Sequence, residues 1–106
     1  MALSEPTKQN IRHLPAEATI VRKTWKALKD AGNPVVAVFD GEERIPVATR
    51  DECLEAVFAV DEAWLIAKSG DQVFIVLGNE WDALTDYTLG LEDALAPVNA
   101  YLDGKW

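Results

Sequence analysis

The pattern of hydrophobic and polar positions predicts a first helix between residues 16 and 31. Apolar side chains recur there every three or four positions, which is the period of one helix face. Pro15 suits the first helical turn, because an N–H at that position would have no partner, and Gly32-Asn33-Pro34 is a stop signal. The positions predicted to share one face are Val21, Thr24, Trp25, Leu28 and Ala31.

Two further helices are predicted later in the chain. Thr49 or Asp51 begins the first of them, because Glu52 follows Thr49 by three residues, which is the spacing of a capping box. The second covers residues 91–102, where Pro97 either kinks the helix or begins a separate short one.

Runs of β-branched and aromatic residues predict four strands in two hairpins. Asp40-Gly41 joins the first pair in a tight turn, and Ser69-Gly70-Asp71 joins the second. Residues 73–77 are apolar at every position, which predicts a central strand covered on both faces. For residues 80–90 the pattern does not distinguish one helical turn from a loop. The predicted strands are residues 35–39, 45–48, 63–67 and 73–77.

The resulting order, α-ββ-α-ββ-α, predicts an α+β domain: a four-stranded, largely antiparallel sheet packed with about three helices. A chain of 106 residues is long enough to bury one modest core. Residues 1–14 are predicted to be a flexible N-terminal arm, which leaves residues 15–106 as a single domain.

The single cysteine, Cys53, allows no intrachain disulfide and no four-cysteine zinc site, which favours a cytoplasmic protein. No run approaches the roughly 20 apolar residues of a membrane span, so no membrane partner is expected. Cys53 is also a poor nucleophile, because Asp51, Glu52 and Glu55 oppose its thiolate, and the one histidine, His13, lies in the predicted arm. We therefore expect a buried thiol, no catalytic residue, no metal ligands and no cofactor, and we favour a role that is not enzymatic.

Charge is distributed unevenly along the chain. The net charge of −8 argues against nucleic-acid binding as the main activity. Residues 1–30 nevertheless carry six basic and three acidic residues, whereas residues 31–106 carry four basic and fifteen acidic ones. A basic stripe on the first helix therefore predicts an interface with a second copy or with another protein; the alternatives are a solvated helix face and contact with the acidic remainder of the same chain. The predicted interface residues are Arg22, Lys26, Lys29 and the terminal aromatic Trp106.

The segment after the fourth predicted strand is the candidate ligand site. It combines carboxylates with aromatic side chains at the end of a predicted central strand, where ligands often bind. Carboxylate oxygens would suit a small molecule or a divalent cation, although the spacing is not that of a calcium loop. The alternative is a capped helical turn with solvated acids. The predicted ligand-binding residues are Asn79, Glu80, Trp81, Asp82, Asp86 and Tyr87.

Three short motifs carry a resemblance to a known group of proteins. They are Asp40-Gly41-Glu42-Glu43 after a Val-rich strand, Gly78-Asn79, and Asp86-Tyr87-Thr88. With these motifs, residues 20–95 resemble small uncharacterised proteins of bacterial mobile elements, namely phage or integron gene-cassette products. The resemblance implies an accessory protein and brings no catalytic residues.

Three functions follow as hypotheses. The first is a non-enzymatic protein-interaction module that associates with itself, as a homodimer or a larger homo-oligomer. The second is a small-molecule or divalent-metal-binding domain that uses residues 78–88, with or without enzymatic activity. The third is an acidic mimic of DNA that inhibits a nucleic-acid-binding protein, since the charge of residues 31–106 is strongly negative.

Overall fold

The structure, a computed structural model, describes residues 3–78 and 84–104. It is an α+β domain in which one antiparallel sheet packs against helices. Five strands lie side by side in the order β2-β1-β3-β4-β5. The elements are α1 (Glu5–His13), α2 (Pro15–Asp30), β1 (Val35–Phe39), β2 (Arg44–Pro46), α3 (Arg50–Val57), β3 (Glu62–Ala67), β4 (Gln72–Val76), β5 (Leu84–Tyr87) and α4 (Ala96–Asp103).

The predicted fold class is confirmed, but the described residues contain five strands and four helices where four strands and about three helices were expected. The additional strand, β5, lies in the segment for which the sequence pattern did not distinguish one helical turn from a loop. Its four residues lack a clear apolar alternation, and it is a strand because β4 offers an edge with which it pairs. The predicted capping box at Thr49 is confirmed, with Glu52 as its second member.

The predicted Asp-Gly hairpin turn between β1 and β2 is also confirmed. Gly41 has φ of 100°, a conformation that costs glycine little because it has no Cβ. The carboxylate of Asp40 accepts backbone hydrogen bonds from Glu42 and Glu43, at 2.9 and 2.7 Å. These bonds, the one from Glu43 foremost, lower the pKa of Asp40.

The core lies on one face of the sheet. Val38, Leu65 and Val73 stand opposite one another on β1, β3 and β4 and are fully buried. They belong to one cluster with side chains of the helices, including Ile20 and Leu28 of α2. Area removed from water is the main favourable term here. The helices therefore cover one face of the sheet, and the domain has two layers.

The prediction that β4 is covered on both faces is wrong. Val73 and Ile75 are fully buried under the helices, whereas Phe74 and Val76 on the other face are half-buried. The apolar run in β4 is continuous because the face of the strand that points away from the helices is also apolar. No described helix packs over that face in the core cluster. Periodicity alone does not separate these two cases.

Helix α1 occupies the segment that was expected to be an arm. Ser4 caps it and donates two hydrogen bonds to the carboxylate of Glu55 on α3, at 2.7 and 2.8 Å. The Thr7 hydroxyl donates to the same carboxylate, and Asn10 donates to the backbone carbonyl of Phe58 at 3.0 Å. One apolar side chain of α1 packs against the core cluster, and the polar contacts of the helix come from residues about 50 positions away. A local hydrophobic pattern therefore could not indicate them.

Glu55→Ala should lower the free energy of unfolding by about 1–2 kcal/mol near neutral pH, since it removes the acceptor for α1 from a partly exposed site. The hydrogen bond from Thr7, followed by those from Ser4, lowers the pKa of Glu55 from 4.5. A lowered folded-state pKa stabilises the protein above the unfolded-state pKa, and this contribution is lost as the pH falls through the folded-state value.

Urea unfolding measured from about pH 7 to about pH 3 checks this prediction, because the difference between Glu55→Ala and the original protein should shrink over that range. Glu92→Ala, at an exposed carboxylate, is the control and should change little. If Glu55→Ala lowered the free energy of unfolding by the same amount at every pH, the stabilising role of the ionised Glu55 carboxylate would be contradicted.

Candidate functional site

A single cross-strand row spans all five strands on the face of the sheet opposite the helices, which we call the open face. Trp64 of β3 pairs in register with Phe39 of β1 and with Phe74 of β4. Phe39 in turn pairs with Arg44 of β2, and Phe74 pairs with Asp86 of β5. Directly opposed residues of antiparallel strands point to the same face. The order along the row is therefore one cation, three aromatic rings and one carboxylate.

The three rings, which we call the aromatic row, contact one another. Trp64 stacks on Phe74 with centroids 4.6 Å apart and planes inclined by 22°, and it meets Phe39 at 5.7 Å and 50°. Both separations are within the range of favourable aromatic pairs. All three side chains are half-buried and lie outside the core cluster. The protein thus presents a preformed aromatic surface to solvent.

The neighbouring row extends the apolar character of the open face. Ala37 and Ile66 pair in register and are 2% and 7% exposed, yet neither belongs to the core cluster. They are flanked by Pro46 of β2 and Gln72 of β4. The open face is therefore a second, smaller apolar layer, with exposed polar residues at its margins.

The two charged ends of the row are free of ion pairs within the described ranges. Arg44 and Asp86 are exposed, and neither forms a salt bridge there. One carboxylate oxygen of Asp86 accepts a hydrogen bond from the backbone of Tyr87 at 2.8 Å. Both charges are consequently available to a partner.

A second surface, which we call the basic groove, lies between α2 and the connection from β2 to α3. It is an open groove of about 770 Å³. The predicted interface residues Arg22, Lys26 and Lys29 all line it, so the structure places these three together. The full lining is Thr19, Arg22, Lys23, Trp25, Lys26, Lys29, Asp30, Ala48, Thr49, Arg50 and Asp51.

Five cationic and two carboxylate side chains face the groove, so the surface is locally basic on an acidic protein. Lys26 pairs with Asp30 at 2.6 Å, and the Lys23 ammonium lies 4.4 Å from the ring centroid of Tyr101. Lys29 and Arg50 are exposed and form no ion pair with the part of the chain that the structure describes. The groove therefore retains cations that an anionic ligand can neutralise.

The predicted ligand segment is described only in part. Asn79, Glu80, Trp81 and Asp82 lie outside the described residues, as does Trp106. Asp86 and Tyr87 are neighbours on β5 and pair with different residues of β4, but both line a small open depression of about 220 Å³ beside Trp64. Asp86 pairs with Phe74 on the open face, whereas Tyr87 pairs with the core residue Val73 and accepts a hydrogen bond from Asn99 at 3.1 Å. Within the described ranges, no group of three or more metal-ligating His, Cys, Asp or Glu side chains is found.

Cys53 is a core thiol, as predicted. It is fully buried on α3, and burial raises its pKa to about 12. A thiol reacts as its thiolate, so this position is unsuited to nucleophilic chemistry. His13, by contrast, is exposed at the end of α1.

The aromatic row was missed at the level of sequence, although each of its members was visible. Phe39, Trp64 and Phe74 lie in three separate predicted strands. Their alignment depends on strand register, which tertiary pairing determines. The available signal was an aromatic residue next to β-branched or aliphatic residues in each strand, which marks a possible cross-strand pair.

Comparison of this chain with protein-family models, with curated proteins and with solved structures finds no match. Among the helices of the described ranges, none combines the length and the hydrophobicity that a membrane span requires. The surfaces themselves therefore carry the functional argument.

Cys53 in the folded protein should react with a thiol reagent at least about 100-fold more slowly than in urea, because reaction requires opening of the core. Absorbance of the released thiol product measures both rates. The variant Ala59→Cys, at an exposed position just after α3, is the control and should react rapidly in the folded state. Comparable rates at the two positions would contradict the burial of Cys53.

Proposed function

We propose that this protein is a non-enzymatic protein-interaction module that associates with itself through the open face of its sheet. The aromatic row carries this proposal. An apolar patch of a few hundred Å² is often functional on a soluble monomer, and tryptophan is enriched at the centres of protein interfaces. Trp64 lies at the middle of the sheet, between two other rings, and is half-buried.

The dimensions of the open face favour a weak and reversible association. Five strands about 4.8 Å apart span roughly 19 Å, and strands of about five residues run for roughly 17 Å. Such a face is smaller than the roughly 800 Å² per partner of a standard stable interface. We therefore expect a dissociation constant on the order of micromolar rather than nanomolar.

Sedimentation equilibrium from about 1 to about 500 µM tests the proposal, because the weight-average mass should rise towards that of a dimer. Trp64→Thr, which keeps a β-forming residue, should raise the dissociation constant at least about tenfold. Phe74→Thr provides a second variant should the first one fold poorly, and thermal unfolding identifies that case.

Leu89→Ser is the matched control. Leu89 is an exposed large apolar residue, 82% accessible, in the short 3-10 turn Leu89–Leu91 after β5, outside the open face. It should leave the association unchanged. A wild-type chain that remains monomeric over the whole concentration range would refute the proposal, as would a loss of association in Leu89→Ser equal to that in Trp64→Thr.

The basic groove supports a second candidate function, the capture of an acidic segment of another protein. Five cations against two carboxylates provide charge complementarity, and half-buried Trp25 adds an apolar wall. Arg22 and Lys29 are seven residues apart on α2, which corresponds to about 10 Å and to three or four residues of an extended peptide. A short acidic peptide fits this length, whereas a nucleic acid would extend onto the acidic remainder of the surface.

A hexaglutamate peptide should bind the protein in calorimetric titration at low salt, and raising the salt to about 0.5 M should weaken the binding. The double variant Lys29→Glu/Arg50→Glu should raise the dissociation constant at least about tenfold. Lys68→Glu, a charge reversal at an exposed lysine outside the groove, is the control and should change it little. Equal weakening by Lys68→Glu would show that net charge, rather than the groove, attracts the peptide.

The remaining hypotheses stay predictions. A ligand site at residues 79–82 falls outside the described residues, and neither a role as a DNA mimic nor an origin in a mobile element gains support from a particular contact.

A further inference from the structure

The order of charges along the open face makes that face complementary to itself. The row begins with Arg44 on one edge strand, passes through the aromatic row and ends with Asp86 on the other edge strand. A cation and a carboxylate therefore lie at equal numbers of strands from Trp64, on opposite sides of it. Self-association in which the charges match requires a symmetry operation that exchanges these two ends.

Two twofold axes place one open face against another with the rows of the two copies lying along each other. An axis parallel to the strands through Trp64 reverses the row, so that Arg44 of each copy faces Asp86 of the other. An axis along the row keeps its direction, so that Arg44 faces Arg44 and Asp86 faces Asp86. A closed dimer uses one such axis, and its interface is then the same patch on both copies.

We propose that the protein forms a homodimer whose twofold axis runs parallel to β3 through Trp64, with Arg44 of each copy paired to Asp86 of the other. This inference rests on the self-association proposed above and adds its geometry. Opposite charges favour this axis, whereas like charges across an interface oppose the other. The tryptophans of the two copies then meet at the axis, and each Phe39 lies opposite Phe74 of the other copy.

The side chains are suited to such a contact. Sheets that pack face to face are about 10 Å apart, and the long arginine side chain can cross much of that distance. Asp86 uses one oxygen for the backbone of Tyr87, while its second oxygen accepts no hydrogen bond from the described residues. Arg44 likewise has no ion-pair partner in those ranges. Two equivalent ion pairs would thus close the ends of an aromatic interface.

Charge reversal tests the geometry. Arg44→Asp and Asp86→Arg should each raise the dissociation constant measured by sedimentation equilibrium about tenfold, because each places like charges opposite one another twice. The double variant Arg44→Asp/Asp86→Arg should restore the wild-type constant within about threefold, because it exchanges the two charges. Salt of about 0.5 M should weaken the wild type and the double variant alike.

Arg44→Ala distinguishes the two axes without adding a charge. It should weaken the dimer if Arg44 faces a carboxylate. A tighter dimer of Arg44→Ala would show that two arginines face each other, and the proposed axis would be wrong. Thermal unfolding confirms that each variant remains folded, and both positions are exposed, so large losses of stability are not expected.

The outcomes separate this inference from the function on which it rests. If the wild type does not associate at all, the proposed function fails and this geometry fails with it. If the wild type associates, Trp64→Thr weakens it, and the charge variants leave the constant unchanged, the open face remains the interface but this pairing is refuted. Restoration in the double variant supports the geometry.

Discussion

The antiparallel register of β3 with its two neighbours is the constraint on which both layers of this protein depend. It places Leu65 between Val38 and Val73 beneath the helices, and it places Trp64 between Phe39 and Phe74 on the opposite face. A slip of β3 by one residue would turn Leu65 towards the open face and Trp64 towards the helices, because side chains alternate along a strand. The hydrophobic core therefore enforces the register, and the register in turn builds the aromatic row.

The two candidate surfaces differ in the physical basis of recognition. The open face offers apolar area and stacked rings, which favour association by removing surface from water. The basic groove offers cations along α2 on a chain with a net charge of −8, which favours an anionic partner and makes binding sensitive to salt. One surface lies on the sheet and the other beside α2, so the proposed association through the open face would leave the basic groove free.

Helix α1 shows how polar contacts can determine the position of an element. Part of its attachment comes from Glu55, which accepts hydrogen bonds from both Ser4 and Thr7. Charge-assisted hydrogen bonds of this kind are directional, so they specify where the helix lies on α3. The sequence pattern predicts a polar arm for this segment because the acceptor, Glu55, is far away along the chain.

Local patterns determined much of the secondary structure. The capping box at Thr49 and the tight turn at Gly41 follow from short-range chemistry, and so does the α+β class. The predicted face of α2 is correct only in part: three of its five residues are buried, Trp25 is half-buried and Ala31 is exposed. The basic stripe of Arg22, Lys26 and Lys29 was also visible, because helical periodicity places these residues near one another.

Tertiary structure alone decided which distant residues meet. Only pairing with β4 makes a strand of Leu84–Tyr87, and only the combined registers align Arg44, Trp64 and Asp86 in one row. Arg50 joins the basic groove because α3 packs beside α2. The physical reason is common to these cases: a sequence encodes the period and the ends of its elements locally, whereas register and packing arise when the whole chain buries its apolar surface at once.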